Sequence, residues 1–106
     1  TTHTMETIAK KGPEFNLSDL ARAVEVRYGL PRAATINLFL HVAEILPEVF
    51  AQHERVELPG IGVILLENRY RKTPAGFEVV ENARKIDFRP ADDLREKVEE
   101  LTGFVL

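Results

Sequence analysis

The stretch between Leu30 and Gln52 constrains the fold of this 106-residue chain most, because apolar residues cover two faces of the helix that it predicts. At about 100° per residue, the apolar positions fall on two adjoining arcs. The first arc is Ile36, Phe39, Leu40, Ala43, Leu46 and Phe50, and the second is Leu38, Val42, Ile45 and Val49. A surface helix of a monomer needs a single apolar stripe. We therefore predict that one face packs against its own chain and the other against a partner chain.

Two further sequence signals define the helical part of the chain. A first helix is predicted over residues 16–28, with Asn16 as its N-cap, Asp19 in the capping-box position and Gly29 as its left-handed stop. Pro47 lies inside the second helix and is expected to kink it or end it early, because proline removes a backbone hydrogen bond.

After the second helix the apolar period changes from helical to alternating, which predicts strands. The predicted extended segments are 54–58, 63–70, 77–80 and 84–88. Lys72–Gly76 has the composition of a hairpin tip, and Asn82–Ala83 interrupts the last strand. A final helix is predicted from Pro90 to Leu101, with Gly103 as its stop. The predicted order is α-α-β-β-β-α, which defines an α+β fold with a three-stranded antiparallel sheet and a protruding β-ribbon.

Composition excludes several classes of protein. The chain has no cysteine, so it has no disulfide framework, thiolate metal site or cysteine nucleophile. No uninterrupted apolar run approaches the roughly 18 residues of a membrane span, so no membrane association is expected. His41, Glu44 and Glu48 share one helical stripe, and a solvated polar face explains them better than a metal site. We expect no catalytic residue, no metal and no cofactor, and we do not expect an enzyme.

The first residues predict a separate terminal segment. Met5 follows a polar tetrapeptide, which is typical of a native start behind an expression remnant. We expect residues 1–14 to comprise that remnant and a flexible segment, and residues 15–106 to form one domain. The absence of an apolar signal segment favours a cytoplasmic location.

The charge of the chain is unevenly distributed. The net charge is −3, which by itself argues against nucleic-acid binding. Residues 67–90, however, carry six basic and four acidic side chains, whereas residues 1–66 and 91–106 are both net acidic. The hairpin is therefore the only net-positive region. One interpretation is an interface for phosphates, and the other is a solvated hairpin whose arginines keep a sheet edge soluble.

Three segments, in order, resemble the HU/integration host factor family of bacterial histone-like DNA-bending proteins. LSDLARAVEVRYGLPRAA is similar to that family's first helix, its Gly-Leu turn and the start of its second helix. RVELPGIGVI is similar to the family's Val-x-Leu-x-Gly-Phe-Gly-x-Phe segment, and DFRPADDLREKV is similar to its Phe-Lys-Pro-Gly-Lys-x-Leu-x-x-x-Val close. The resemblance covers residues 16–101, and it indicates a divergent, acidic member with short arms.

The resemblance implies an architectural protein that binds and bends duplex DNA through the minor groove with little sequence specificity. It also implies an intertwined homodimer in the bacterial nucleoid, in which a proline near each arm tip wedges between base pairs. The DNA-binding residues implied on this basis are Arg69, Arg71, Lys72, Pro74, Arg84, Lys85, Arg89, Gly60 and Gly62. Turn geometry alone also explains the proline and the two glycines.

Two departures from the family pattern support a second interpretation. The stretch between Gly62 and Phe88 is several residues shorter than in typical members, and Ala91-Asp92 replaces the family's Gly-Lys. The alternative is an HU-like dimer with weakened DNA binding that contacts a protein through its acidic body. The acids of the final helix that would form this surface are Asp92, Asp93, Glu96, Glu99 and Glu100.

Overall fold

The structure, a computed structural model, describes residues 8–106 and confirms the predicted order of elements. The prediction for Met5 and the residues before it lies outside the described residues. The helices are α1 (Leu17–Tyr28), α2 (Arg32–Phe50) and α3 (Asp92–Thr102), and the strands are β1 (Arg55–Leu58), β2 (Gly62–Thr73) and β3 (Gly76–Pro90). The chain divides into two compact units, one ending at Glu48 and the other spanning Val49–Leu106.

Helix α1 begins and ends as its sequence predicts. The Asn16 side chain accepts a hydrogen bond from the Asp19 backbone N–H, and the Asp19 carboxylate accepts one from the Asn16 N–H, both at 3.0 Å. The Lys10 ammonium lies 2.6 Å from the same carboxylate. Lys10 and the Asn16 N–H together lower the pKa of Asp19. Gly29 ends the helix in the left-handed conformation, with φ at 73°.

Helix α2 keeps most of its apolar surface exposed within the single chain. Leu38 is 60% exposed and Ile45 is 54% exposed, and Thr35 is the one fully buried residue of the helix. The helix continues through Pro47 to Phe50, so of the two expected effects of this proline the early end does not occur, and the kink stays a prediction. By length and composition alone, α2 would also be long and apolar enough to cross a membrane.

The sheet has the order β1-β2-β3 with antiparallel pairing throughout. Asn68 pairs with Arg84 and Tyr70 pairs with Val79, so four residues of β3 lie opposite the single residue Arg69. Asn82 adopts a left-handed φ of 58° inside this bulge, which confirms the predicted interruption of the strand. A bulge of this kind bends and twists the ribbon, and it separates a proximal part of the ribbon from a distal hairpin, residues 70–79.

The final helix begins later than its sequence predicts. Pro90 pairs with Gly62 as the last residue of β3, and the Ala91 N–H donates a 2.9 Å hydrogen bond to the Ile61 carbonyl. Because these contacts hold the chain in the extended conformation, α3 begins at Asp92, and the prediction that Pro90 opens the helix is wrong. The predicted stop is confirmed, since Gly103 ends α3 with φ at 77°.

The turn between β1 and β2 requires glycine at two positions for different reasons. Gly60 has a φ of 78°, and a Cβ atom there would have open space around it. Gly62 lies against β3, where a Cβ atom would be 2.3 Å from the Arg89 carbonyl oxygen and 2.7 Å from the Phe88 ring. Gly62 therefore permits a close approach of two strands, whereas Gly60 only permits a turn.

We predict that Gly62→Ala destabilises the fold much more than Gly60→Ala. The Gly60 variant should lower the free energy of unfolding by about 1 to 2 kcal/mol, the cost of a left-handed alanine. The Gly62 variant should lose at least about 3 kcal/mol, because it overpacks a backbone contact that cannot move freely. Urea denaturation of both variants measures the difference, and equal losses would contradict the assigned role of Gly62.

Candidate nucleic-acid interface

The register of β2 with β3 divides the side chains of the ribbon between two faces. Successive residues of a strand point to opposite faces, and directly paired residues share a face. One face, called the charged face, carries Val63, Leu65 and Thr73 together with the charged residues Glu67, Arg69, Arg71, Glu78, Lys85, Asp87 and Arg89. The other, called the apolar face, carries Ile64, Leu66, Asn68, Tyr70, Lys72, Phe77, Val79, Arg84, Ile86 and Phe88.

Carboxylates of the same chain engage the cations of the charged face. Glu67 pairs with Arg89 at close range and lies 4.0 Å from the Lys85 ammonium. Lys85 also lies 4.0 Å from Asp87. Farther out, Arg71 pairs closely with Glu78 across the distal hairpin. The positive charge of these side chains is therefore partly offset by nearby acids.

The remaining three predicted cations have different surroundings. Arg84 forms a 2.9 Å ion pair with Glu54, just before β1. Arg69, opposite the bulge, donates a 3.2 Å hydrogen bond to the backbone carbonyl of Arg84. Among residues 8–106, no acid pairs with Lys72, which lies exposed on the apolar face. Four of the six predicted cations thus have acidic partners.

The predicted residues lie along the ribbon and do not form one cluster. Pro74 occupies the exposed two-residue loop between Thr73 and Gly76 at the tip. The Thr73 hydroxyl donates a 3.1 Å hydrogen bond to the Gly76 carbonyl and closes this loop. Gly60 and Gly62 lie at the opposite end of β2, roughly 35 Å away for a strand of this length. Gly62 lies within the β-ladder, and the close approach of β3 explains why this residue is glycine without reference to any ligand.

Several residues of this surface were not predicted from the sequence. A shallow groove at the bulge is lined by Glu54, Glu67, Tyr70, Arg84, Lys85 and Arg89, so acids and an aromatic residue share it with the predicted cations. The acids are visible in the sequence, but their pairing depends on register. Within residues 8–106, no group of three or more histidine, aspartate or glutamate side chains could hold a metal ion.

Comparison with known proteins identifies the fold. No family model and no curated protein sequence matches the chain. Among solved structures it is similar to HU from Anabaena in a cocrystal with DNA, with 20% identity and a TM-score of 0.56. The similarity covers 79% of this chain and 97% of the Anabaena chain. The chain therefore has the HU-like α+β fold, and the resemblance inferred from its motifs is confirmed at the level of the fold.

Proposed function

We propose that this protein is an HU-like architectural protein that binds duplex DNA through its β2–β3 ribbon and bends it. The observation that carries the proposal is the HU-like fold, since the structural similarity covers nearly the whole of an HU chain crystallised with DNA. In this chain the corresponding ribbon is also the only net-positive region. Binding to phosphates and groove shape has little sequence preference. The proposed DNA binding also implies a location in the bacterial nucleoid.

The proposed interface comprises the cations of the ribbon and Pro74 at its tip. The exposed proline is placed where an apolar wedge could enter a base step and kink the duplex. The ion pairs on the charged face are solvent-exposed, and exposed pairs contribute only about 0–1 kcal/mol each. Phosphates can therefore displace the carboxylates at low cost, although each displaced pair reduces the net gain.

Helix α2 supports a homodimer. Its exposed apolar residues face no partner in the single chain, and only two apolar residues in the described part of the protein, Ala21 and Ala23, are fully buried. A second copy that packs against α2 would supply the missing core. Glu44 and Glu48 lie within the same helix, and an ionised acid is costly at the centre of a bilayer. We therefore assign α2 to a protein interface and not to a membrane.

A single domain over residues 15–106 stays a prediction.

A second candidate function is protein binding through α3. Asp92, Asp93, Glu96 and Glu100 are all exposed on this helix, and within residues 8–106 only Asp92 of these four has an ion-pair partner, Arg95. This surface suits a basic partner. Protein binding through α3 would give the ribbon no essential role, whereas DNA binding depends on the ribbon, and this difference separates the two candidate functions.

We predict that the protein binds a labelled duplex at low salt and that its affinity falls linearly with the logarithm of salt concentration. Replacing Arg69, Arg71 and Lys72 together by glutamate should abolish binding, because it reverses three charges near the arm tip. Lys97→Glu on α3 reverses one charge outside the ribbon and should have little effect. Binding that ignores salt, or survives the triple reversal, would contradict the assigned interface.

We predict that Glu67→Gln strengthens DNA binding about threefold to tenfold, because one substitution releases Arg89 from its ion pair and removes one of the two carboxylates beside Lys85. Glu81→Gln is the control, since it removes the same charge from the ribbon and no ion pair involves Glu81 among residues 8–106. An equal effect of both variants would mean that net charge alone, and not the release of particular cations, sets the affinity.

We predict that the protein sediments as a dimer at micromolar concentration and that Leu38→Glu converts it to a monomer or an unfolded chain. A charge on the exposed apolar arc of α2 cannot be buried in an interface without a large penalty. Asn37→Glu, one residue away on the polar stripe, should leave the dimer intact. A wild-type monomer with a normal unfolding transition would contradict the proposed assembly.

A further inference from the structure

The apolar face of the distal hairpin carries an aromatic patch that the ion pairs and the tip proline do not explain. Lys72 lies directly opposite Phe77, and Tyr70 lies directly opposite Val79. These four residues therefore share one face of the two-stranded ribbon, next to the tip. Phe77 is 75% exposed, Tyr70 is 61% exposed and Val79 is 52% exposed. The patch thus presents two aromatic residues at diagonal positions, with Lys72 next to both of them in the register.

The charge of the patch differs from that of the opposite face. Arg71 and Glu78 neutralise each other on the charged face, whereas Lys72 has no acid partner among residues 8–106. Exposed apolar patches bordered by polar groups mark interaction sites. A patch that is apolar and cationic, with no acid, complements a surface that offers apolar groups beside negative charge.

We propose that Tyr70 and Phe77 form an aromatic contact surface for the minor groove of duplex DNA. Their rings pack against the sugar edges of the groove, and the Lys72 ammonium lies on a neighbouring phosphate. Tyr70 and Phe77 are diagonal neighbours on paired strands, and such neighbours are roughly 7–8 Å apart, about two base-pair steps of the duplex. The inference rests on the proposed DNA binding and adds to it an apolar component on the face opposite the ion pairs.

Salt dependence separates this apolar contact from the ionic ones. A lost phosphate contact reduces the slope of log affinity against log salt concentration, by about 0.9 for each contact. A lost apolar contact releases no counterion, so it lowers affinity at every salt concentration and leaves the slope unchanged. The two kinds of residue on this patch should therefore give different patterns in the same titration.

The test is titration of a labelled duplex with the wild-type dimer and single variants at four or more salt concentrations. Phe77→Ala and Tyr70→Ala should each weaken binding by about tenfold, the scale on which removal of an aromatic contact weakens nucleic-acid binding. Their slopes should equal that of the wild type. Lys72→Ala should instead flatten the slope by about one unit for each arm that contacts DNA.

Two control variants test whether the ring itself matters. Phe77→Leu retains much of the apolar area and should restore most of the affinity lost in Phe77→Ala. Tyr28→Ala removes an exposed aromatic ring from α1 and should bind DNA as the wild type does. Both aromatic positions of the patch are exposed, so far-UV circular dichroism should show an unchanged fold in every variant.

The possible outcomes distinguish this inference from the function on which it rests. If the wild type binds with the expected salt dependence but Phe77→Ala and Tyr70→Ala bind equally well, the aromatic contact is wrong and the proposed function stands. If these variants instead change the sedimentation of the free protein, the patch belongs to a protein interface and the inference is overturned. If the wild type does not bind at low salt, the proposed function fails, and the inference fails with it.

Discussion

The apolar surface of α2 is the constraint on which the rest of the structure depends. A chain of this size has a limited core even when all its apolar residues are buried. Here the fully buried apolar residues of the described part are Ala21 and Ala23, both of them small. The helix that could contribute most to a core leaves Leu38 and Ile45 exposed. The proposed homodimer would bury this surface, because a second copy carries the same uncovered helix.

The β2–β3 ribbon combines two kinds of surface. On the charged face, Glu67 and Glu78 hold arginines that would otherwise be free to contact phosphates. On the apolar face, Tyr70 and Phe77 border an ammonium without an acid partner. The net charge of −3 therefore does not describe the local charge that either face of the ribbon presents to a ligand. In the proposed DNA binding, the acids would moderate the electrostatic part, and the distal aromatic patch would supply a part that does not depend on salt.

Local sequence signals predicted most of the fold. The Asn16 cap and the stops at Gly29 and Gly103 are confirmed, because each depends on a few adjacent residues. The irregularity at Asn82–Ala83 was also predicted, although its size follows from the register. The start of α3 was predicted incorrectly. Pro90 has the right chemistry to open a helix, but a long-range hydrogen bond from the next residue to Ile61 holds the chain extended.

The order and type of the elements, the two apolar faces of α2 and the position of the cationic hairpin can be read from the residues alone, because periodicity and capping act between near neighbours. The motifs that indicate the HU-like fold are local as well. Which charges neutralise one another and which side chains share a face depends instead on the folded chain. Glu67 and Arg89 are 22 residues apart along the chain, and Lys72 meets Phe77 only through the strand register. Pairing of this kind depends on how two strands align, a property that belongs to neither strand alone.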